Sequence, residues 1–421
     1  MIDVERLARE AKEASRELAK APTEKKDRAL MRMAAALRGA RAPVLEANAA
    51  EVAQARRARR SAAFVDRLAL DGERLEAACK ALERVAGLPD PVGRVRDYAT
   101  RPNGLRIRKM RVPLGVIAVI YESRPQVTAD AAGLCLKSGN AALLRGGKEA
   151  VATNAAIARA LREGIEAAGL PPGALGFIDD PDRKAVTELL KLDRLVDLVI
   201  PRGGPELTRA VRGESKIAVL SHDRGLCHTY VDRSASLAMA EEVCFNAKAE
   251  RPGVCNAMET LLVHRDIAEA FLPKVAERLR QARVELRGCE RTRAVVPWVL
   301  PAAEEDWDAE YLDLILSIRV VDSLDDAIAH IARHGTGLAE AIVTSDPAAG
   351  ERFLREVDAG AVYMNASTRF TDGGEFGMGA EMGISTQKIH ARGPVGLAGL
   401  TCEKYIVTGT GQVRDSRKSP D

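Results

Sequence analysis

A long apolar stretch is missing from this chain of 421 residues. A membrane-spanning helix needs about 20 consecutive apolar residues. The best candidate, Val112 to Tyr121, is about half as long, and its valines and isoleucines predict a buried strand instead. The first residues also lack a charged segment followed by an apolar one, so we expect no signal peptide. We therefore expect no membrane partner and a location in the cytoplasm.

An excess of either charge is also missing. The sequence has 63 basic and 60 acidic residues, which gives a net charge of +3. Proteins that bind nucleic acid or anionic membranes carry a basic surface. The balance therefore predicts neither nucleic acid nor a membrane as a partner, and any basic surface must be local and suited to a small anion.

Paired cysteines and clustered histidines are absent as well. The seven cysteines are odd in number, widely spaced and without a Cys-x-x-Cys motif. This argues against a disulfide framework or a zinc ribbon and favours reduced thiols. His330 and His334 are four residues apart, but we place them at the surface end of a helix that has no supporting acidic motif. We predict no metal.

An alternation of strands and helices is what the sequence does contain. Residues 1 to about 90 are rich in Ala, Arg, Glu and Leu and predict helices. From about residue 112 short apolar strands, such as Ala141 to Arg145, alternate with helices. The alternation resumes after His228, with Ile315 to Val321 among its strands. This pattern predicts βαβ units with parallel sheets, in two or three domains.

Cys255 is the strongest candidate for a catalytic residue. It follows a helix that ends near Lys248 and the turn Arg251-Pro252-Gly253, and a strand begins near Met258. A cysteine in such a turn can be partly exposed, and a nearby cation, Arg251 or Lys248, would favour the reactive thiolate. The alternative is a small buried apolar residue, which is the usual role of a free cysteine and the one we assign to Cys244.

Two glycine turns and one polar loop are candidates for binding. Arg202-Gly203-Gly204 lies between a predicted strand and a helix, where glycines allow close backbone approach and a helix N-terminus attracts anions. Arg145-Gly146-Gly147 has a similar pattern, although the Gly-x-Gly-x-x-Gly fingerprint is absent. The loop from Asn365 to Gly377 carries hydroxyls, one arginine and glycines, which favours a small charged ligand. Ordinary loops are the alternative at all three places.

At these segments the sequence resembles the gamma-glutamyl phosphate reductase family, also called glutamate-5-semialdehyde dehydrogenases, within the aldehyde dehydrogenase superfamily. The resemblance covers nearly the whole chain, and its most specific motif is Asn365-Ala366-Ser367-Thr368-Arg369-Phe370-Thr371-Asp372-Gly373-Gly374. Further segments that carry it are Val116 to Pro125, Leu144 to Gly147, Cys227 to Asp232, the Cys255 turn, Glu340 to Thr344 and Gln387 to Pro394.

The resemblance implies an aldehyde dehydrogenase-like α/β fold. Such a fold has two Rossmann-like domains and a small oligomerisation hairpin with a C-terminal strand. We expect a cofactor-binding domain over residues 1–225, with the hairpin near 97–112, and a catalytic domain over 226–392. Residues 393–421 would form the C-terminal oligomerisation strand and tail.

The resemblance also implies an activity. The family reduces L-glutamyl 5-phosphate with NADPH to L-glutamate 5-semialdehyde and phosphate, the second step of proline synthesis from glutamate. Cys255 matches the family's nucleophile, which forms a thioester. Arg145 stands at the superfamily's adenosine-ribose lysine, which implies NADP rather than NAD. The cofactor phosphates would lie at Arg202, Gly203 and Gly204, and the candidates for the glutamyl carboxylate or phosphate, by charge complementarity, are Ser367, Thr368 and Arg369.

Partners and alternatives complete these expectations. The resemblance implies a homodimer or homotetramer, joined through the hairpin and the strand predicted at Glu403 to Val407. Glutamate 5-kinase is a candidate partner, because acyl phosphates are labile. Two alternatives stay open: an aldehyde dehydrogenase for another small semialdehyde or acyl phosphate, and a non-catalytic paralogue that only binds the cofactor. Substrate kinetics distinguish them.

Overall fold

The computed structural model describes residues 3–222 and 224–414. The chain divides into two compact units. Unit 1 comprises Met1–Gly203, Ala210–Val219 and Gly396–Asp421, and unit 2 comprises Gly204–Arg209 and Leu220–Val395. Among the described helices, none combines the length and the apolar character that crossing a membrane requires. The part of the predicted C-terminal segment after Arg414 lies outside the described residues.

Unit 1 begins with the helices that the composition predicts. They are α1 (Val4–Leu18), α2 (Thr23–Gly39), α3 (Arg41–Arg57), α4 (Ala62–Leu68) and α5 (Gly72–Gly87). Polar side chains cap several of their N-termini: Asp3 accepts a hydrogen bond from the Arg6 N–H, and Asp71 accepts two from the first turn of α5. The predicted helical region is thus confirmed.

A hairpin follows, made of β1 (Val95–Thr100) and β2 (Arg106–Pro113), which pair antiparallel. The strand predicted from Val112 to Tyr121 is wrong as a single element, because β2 ends at Pro113 and β3 (Val116–Tyr121) begins three residues later. Gly115 between them has a φ of 129°, a conformation that favours glycine. The chain can therefore leave the hairpin and enter a different sheet.

The rest of unit 1 alternates strictly between strands and helices. After β3 come α6 (Gln126–Lys137), β4 (Ala141–Arg145), α7 (Val151–Ala167), β5 (Leu175–Phe177), α8 (Arg183–Leu189), β6 (Leu198–Arg202) and α9 (Pro205–Glu214), whose end returns to unit 1. The four strands form a parallel sheet in the order β5-β4-β3-β6. Successive strands add on one side of β3 and then switch to the other, and ligands bind at the carboxyl ends of strands beside such a switch.

Unit 2 contains a larger parallel sheet with helices between its strands. Its elements are β7 (Cys227–Val231), α10 (Leu237–Ala249), β8 (Met258–His264), α11 (Arg265–Gln281), β9 (Glu285–Gly288), α12 (Glu290–Val295), β10 (Leu300–Pro301), β11 (Ile315–Val321), α13 (Leu324–His334), β12 (Ala339–Val343), α14 (Pro347–Glu356) and β13 (Ala361–Met364). The strand order is β10-β9-β11-β8-β7-β12-β13. An apolar core that includes Cys244 of α10 and Phe271 of α11 covers one face, and Ile331 of α13 and Phe353 of α14 cover the other.

Three short or late strands end the described chain. The strands β14 (Ile384–Ser385) and β15 (Gly393–Pro394) pair with each other in unit 2. The strand β16 (Thr401–Thr408) pairs antiparallel with β2, so that the hairpin grows into a three-stranded sheet in the order β1-β2-β16. The late strand therefore belongs to unit 1, although it lies about 290 residues after its neighbour in the sequence.

Candidate active site

Cys255 lies in the turn that connects α10 to β8. The helix α10 ends at Ala249, residues 252–257 form turns and bends, and β8 begins at Met258. The predicted succession of helix, turn and strand around Cys255 is therefore confirmed. The Cys255 side chain is half-buried, and one side of it packs against Cys227, Leu338 and Ala339. By contrast, Cys244 is fully buried in the core, as its position on the apolar face of α10 predicts.

The backbone of Cys255 is held from the side of β7. A Cβ atom added to Gly225 would lie 1.9 Å from the carbonyl oxygen of Cys255, so no other residue type fits at Gly225 without movement. The thiol of Cys227 donates a hydrogen bond to the same carbonyl oxygen at 3.4 Å. These contacts fix the peptide group between Cys255 and Asn256.

The predicted polar loop reaches the residue next to Cys255. Asn256 donates through Nδ2 to the carbonyl oxygens of Arg369, at 3.3 Å, and Thr371, at 2.9 Å. The Thr368 hydroxyl donates to the Asn256 carbonyl at 2.8 Å, and the Arg369 guanidinium donates to the Asn256 side chain. The structure therefore brings the 367–371 segment and the Cys255 turn together, although they are over 100 residues apart in the chain.

Within this loop the three candidate binding residues have different surroundings. Thr368 is fully buried, and its hydroxyl proton is used in holding the loop to Asn256. The Ser367 oxygen accepts a hydrogen bond from the Arg369 backbone N–H at 3.3 Å. Arg369 also donates through Nε to Glu250 at 3.0 Å. Arg369 is the member of the three that carries a positive charge, and it forms an ion pair with Glu250.

Lys248 does not offer an uncompensated charge to Cys255. Its ammonium group is fully buried and forms an ion pair with Glu259 at 2.6 Å. Burial lowers the pKa of Lys248, and burial raises the pKa of Glu259 to about 7. The expectation that the charge of Lys248 favours the thiolate is therefore wrong, because Glu259 compensates that charge. Arg251 is exposed, and its role stays a prediction.

A row of buried polar side chains crosses the sheet of unit 2. Ser317, Thr260, His228 and Glu340 lie side by side on the neighbouring strands β11, β8, β7 and β12, and all four are fully buried. The backbone N–H of His228 donates to Glu340 Oε2 at 2.7 Å, and His228 Nδ1 lies 2.9 Å from the same oxygen. Burial raises the pKa of the Glu340 carboxyl. One member of the row, His228, directly follows Cys227, whose thiol contacts the Cys255 carbonyl oxygen.

His330 and His334 extend this polar region, and the prediction that they lie at the surface is wrong. Both are buried, and their ring centroids lie 4.5 Å apart with the ring planes inclined by 40°. Arg319 lies 3.2 Å from His330 Nδ1, and a guanidinium only donates, so Nε2 carries the proton of His330. Burial lowers the pKa of His330 to about 2. Among the described residues, no group of three or more His, Cys, Asp or Glu side chains is arranged to hold a metal ion.

The candidate cofactor residues lie at the carboxyl ends of the unit 1 strands. Arg145 ends β4 beside Ile120, and Arg202 ends β6 beside Tyr121, so the two arginines flank the end of the central strand β3. Gly203 and Gly204 follow Arg202 directly, before α9 begins. Arg145 is half-buried, and burial lowers its pKa. One of its N–H groups bonds to the Pro181 carbonyl at 2.9 Å, while its buried Nε has no hydrogen-bond partner among the described residues.

Comparison with known proteins places the chain in a family. The sequence model of the Aldehyde dehydrogenase family matches residues 2–305 and 287–383. A gamma-glutamyl phosphate reductase from Caldanaerobacter subterraneus subsp. tengcongensis is 53% identical over 413 residues, which cover 98% of this chain and 100% of the relative. The chain belongs to the gamma-glutamyl phosphate reductase family. A second family member, from Moorella thermoacetica, is 52% identical and covers 98% of this chain and 99% of its own.

Solved structures agree with this membership. The crystal structure of gamma-glutamyl phosphate reductase from Thermotoga maritima matches with a TM-score of 0.96 at 49% identity, over 98% of this chain and 100% of the other. An acetylating aldehyde dehydrogenase from Geobacillus thermoglucosidasius matches with a TM-score of 0.65 at 20% identity, over 98% of both chains, and shares the fold. The expected family and the aldehyde dehydrogenase-like α/β fold are therefore confirmed.

Sequence reasoning missed three buried pairs of this gamma-glutamyl phosphate reductase family member. For His330 and His334 a signal was present, because Ala327, His330, Ile331 and His334 follow the spacing of a buried helical face. For the pairs Lys248–Glu259 and His228–Glu340 no comparable signal exists, because a charged residue inside an apolar pattern does not reveal which distant residue neutralises it.

Proposed function

We propose that the protein reduces L-glutamyl 5-phosphate with NADPH to L-glutamate 5-semialdehyde and phosphate, the second step of proline synthesis from glutamate. The observation that carries this proposal is the half-buried Cys255 in its fixed turn, within a chain 53% identical to a protein named gamma-glutamyl phosphate reductase. Such a reaction belongs to a soluble biosynthetic enzyme, and we propose the cytoplasm as its location.

Cys255 is the proposed nucleophile. Its thiolate attacks the acyl carbon of the substrate, the bond from that carbon to the phosphate oxygen breaks, and phosphate leaves with the bonding electrons. The acyl group stays on Cys255 as a thioester. A thiolate suits this step because it is nucleophilic near neutral pH and its thioester accepts hydride readily. The chemistry that NADPH supplies when bound is hydride transfer. Cys255 then returns to the thiolate as the aldehyde departs.

Arg145, Arg202, Gly203 and Gly204 are the residues that would hold NADPH. Their position at the carboxyl ends of the strands beside the switch in strand order supports this assignment. The buried Nε of Arg145, which lacks a partner among the described residues, fits an anionic oxygen such as that of a 2′-phosphate. We expect Arg145→Ala to lower kcat/KM for NADPH by about ten- to a hundredfold and to change that for NADH much less. Arg159→Ala, at an exposed arginine on α7, is the control.

Ser367, Thr368 and Arg369 form the proposed substrate loop. Its contact with Asn256, the neighbour of Cys255, supports this role. We propose that Arg369 contributes the charge for the glutamyl carboxylate or phosphate, while Thr368 and Ser367 keep the loop in shape. Arg369→Lys is then expected to raise KM for glutamate semialdehyde more than it lowers kcat, because the charge remains while the planar donor geometry is lost.

The decisive experiment runs the reaction in reverse. Purified protein is given glutamate semialdehyde and NADP, with and without inorganic phosphate, and absorbance at the nicotinamide band is followed. We expect phosphate-dependent reduction of NADP, and its loss in Cys255→Ser. Cys289→Ser, at another half-buried cysteine of unit 2, is the matched control. Turnover of Cys255→Ser at the wild-type rate would contradict the mechanism, and a stronger activity with a different semialdehyde would favour the alternative substrate.

We also propose a homodimer or homotetramer that assembles through the sheet β1-β2-β16. In support, β1 and β16 each have one neighbouring strand among those described, and Tyr98, Tyr405 and Val407 are exposed on this sheet. Exposed edge strands of this kind tend to pair with another chain. Light scattering of the wild type and of Val407→Glu tests the assembly.

We also propose glutamate 5-kinase as a partner, and co-sedimentation of the two proteins tests this.

A further inference from the structure

A buried ion pair brackets the turn that carries Cys255. Lys248 lies in the last turn of α10 and Glu259 is the second residue of β8, so the residues between them, 249–258, contain the whole connection. Both side chains have no exposed surface, and Lys248 Nζ lies 2.6 Å from Glu259 Oε2. Apolar residues of similar size often replace such a pair without loss of stability. Stability alone therefore does not explain why two charges are buried at this place.

The second carboxylate oxygen of Glu259 holds the segment at Leu312, which lies against the Cys255 turn. Glu259 Oε1 accepts a hydrogen bond from the backbone N–H of Leu312 at 3.1 Å. Leu312 has a φ of 52°, the left-handed region that residues other than glycine seldom adopt. A Cβ atom on Gly253 would lie 3.7 Å from the Leu312 carbonyl oxygen, so this strained residue lies against the Cys255 turn.

The start of β8 is shaped to place Glu259 in this position. Cys227 pairs with Met258, and the next residue, His228, pairs with Thr260. Glu259 therefore has no pairing partner on β7. An extra residue of this kind is a bulge, and bulges beside active sites redirect a side chain. Glu259 thereby faces Lys248 and Leu312.

We propose that the Lys248–Glu259 pair is the positioning element of the Cys255 turn. Its contacts join the end of α10, the start of β8 and the Leu312 segment under Gly253, so that the Cys255 sulfur is presented in one place. Both residues act through the turn and do not meet the reacting carbon. The role of Cys255 itself rests on the proposed function, whereas the contacts of the pair do not. The pKa shifts of the two groups, downward for Lys248 and upward for Glu259, agree with full burial.

The experiment separates positioning from stability. Three variants of the full chain are made: Lys248→Met, Glu259→Gln and the double variant Lys248→Met/Glu259→Met. For each, the Tm is measured first. The rate at which iodoacetamide alkylates Cys255 without substrate or cofactor, and kcat and KM, are then measured below the unfolding transition. Peptide mass spectrometry assigns the alkylation to Cys255. The matched control is Lys26→Met, which breaks the buried Lys26–Asp90 pair of unit 1, at 2.5 Å.

Each outcome bears on the proposal. We expect the single variants to have a lower Tm, and the double variant to recover it, because no unpaired charge remains. In the double variant kcat is expected to stay reduced by about a hundredfold, with KM within about twofold of wild type, because the nucleophile is misplaced. Its Cys255 alkylation rate should also depart from the wild-type rate. Lys26→Met should lower Tm and leave both rates unchanged.

A double variant with wild-type Tm, alkylation rate and kcat would overturn the positioning role. A different result concerns the proposed function: if Cys255→Ser keeps full turnover, Cys255 is not the nucleophile. The alkylation rates of the pair variants would still decide whether Lys248 and Glu259 fix the turn, since they require neither substrate nor cofactor. The two failures are therefore distinguishable.

Discussion

The parallel sheets of the two units bury different kinds of side chains. In unit 1 the central strand β3 is apolar from Val116 to Tyr121 and β4 from Ala141 to Leu144, and the charged residues Arg145 and Arg202 stand at the strand ends. In unit 2 the buried row from Ser317 to Glu340 crosses four neighbouring strands, and Lys248–Glu259 adds a buried ion pair. The comparison teaches that the parallel sheet of unit 1 carries its charged side chains at the strand ends, whereas the parallel sheet of unit 2 buries polar side chains within its strands.

Two glutamates show the physical difference between half-buried and fully buried charge. Glu403 lies on the sheet β1-β2-β16, where the hydrogen bonds from Arg96 lower its pKa to about 2. Glu259 in unit 2 also has a cationic partner, yet burial raises its pKa to about 7. Water solvates the first carboxylate in addition to its partner, while the second has lost its water. The hydrogen bonds from Arg96 therefore favour the charged form of Glu403, whereas burial favours the neutral form of Glu259 despite its cationic partner.

The largest effect on turnover is expected at Gly225, which lies against the backbone of Cys255. Gly225→Ala places a Cβ 1.9 Å from the Cys255 carbonyl oxygen, so the turn must move, and we expect a loss of about a hundredfold in kcat. Gly164→Ala is the matched change in unit 1, where the Cβ would lie 2.5 Å from the backbone of Met33. It should lower Tm without changing the Cys255 alkylation rate. Equal alkylation rates in both variants would remove the distinction between the units.

The next prediction concerns how losses in the free energy of unfolding combine when two residues are changed. His228→Leu leaves the buried Glu340 carboxyl without its ring partner, and we expect a loss of about 3–5 kcal/mol in the free energy of unfolding. His228→Leu/Glu340→Leu should recover most of it. In unit 1, Leu144→Ala should lose about 2–5 kcal/mol, and a second truncation, Val119→Ala, should add to the loss. Urea unfolding measures all four, and a double variant of unit 2 that is no more stable than its single variant would contradict the prediction.

A smaller effect follows from the burial of His330. Its pKa is lowered from 6.5 to about 2, so below pH 6.5 the unfolded chain binds a proton that the folded chain does not. Stability is therefore lost as the pH falls, with a contribution from this group of about 1.4 kcal/mol per pH unit. His330→Gln, which can still accept from Arg319, should remove that contribution. Urea unfolding at pH 6.5 and at one and two units below checks it, with exposed His390→Gln as the control.

The smallest effect is expected at the half-buried Glu403. Its pKa falls from 4.5 to about 2 in the folded chain, so its contribution to stability is present above pH 4.5 and is lost as the pH falls through about 2. Glu403→Gln should make acid unfolding in this range less steep, because the variant has no carboxylate to protonate. Acid titration followed by circular dichroism measures the slope, and Glu13→Gln on α1 is the control. An unchanged slope would show that the ion pairs of this sheet have no effect on folding.

Much of the fold could be predicted because it depends on local pattern. The strand from Ala141 to Arg145 and the strand from Ile315 to Val321 have the predicted bounds, since a short apolar run between turn residues specifies a buried strand. The turn around Cys255 was predictable for the same reason, because Arg-Pro-Gly ends a helix. The prediction of one strand from Val112 to Tyr121 is wrong, because the break at Leu114-Gly115 is a change of sheet and not a change of composition.

The sequence by itself determined where helices, strands and the Cys255 turn lie, because these depend on the spacing of apolar residues and on turn chemistry within a few neighbours. Tertiary structure alone decided which distant residues meet. Glu259 compensates the charge of Lys248, Glu340 contacts His228, and the 367–371 loop holds the turn at Asn256. The physical reason is that a charge is stabilised by whatever lies within a few ångströms of it, and that neighbour is chosen by the packing of distant segments.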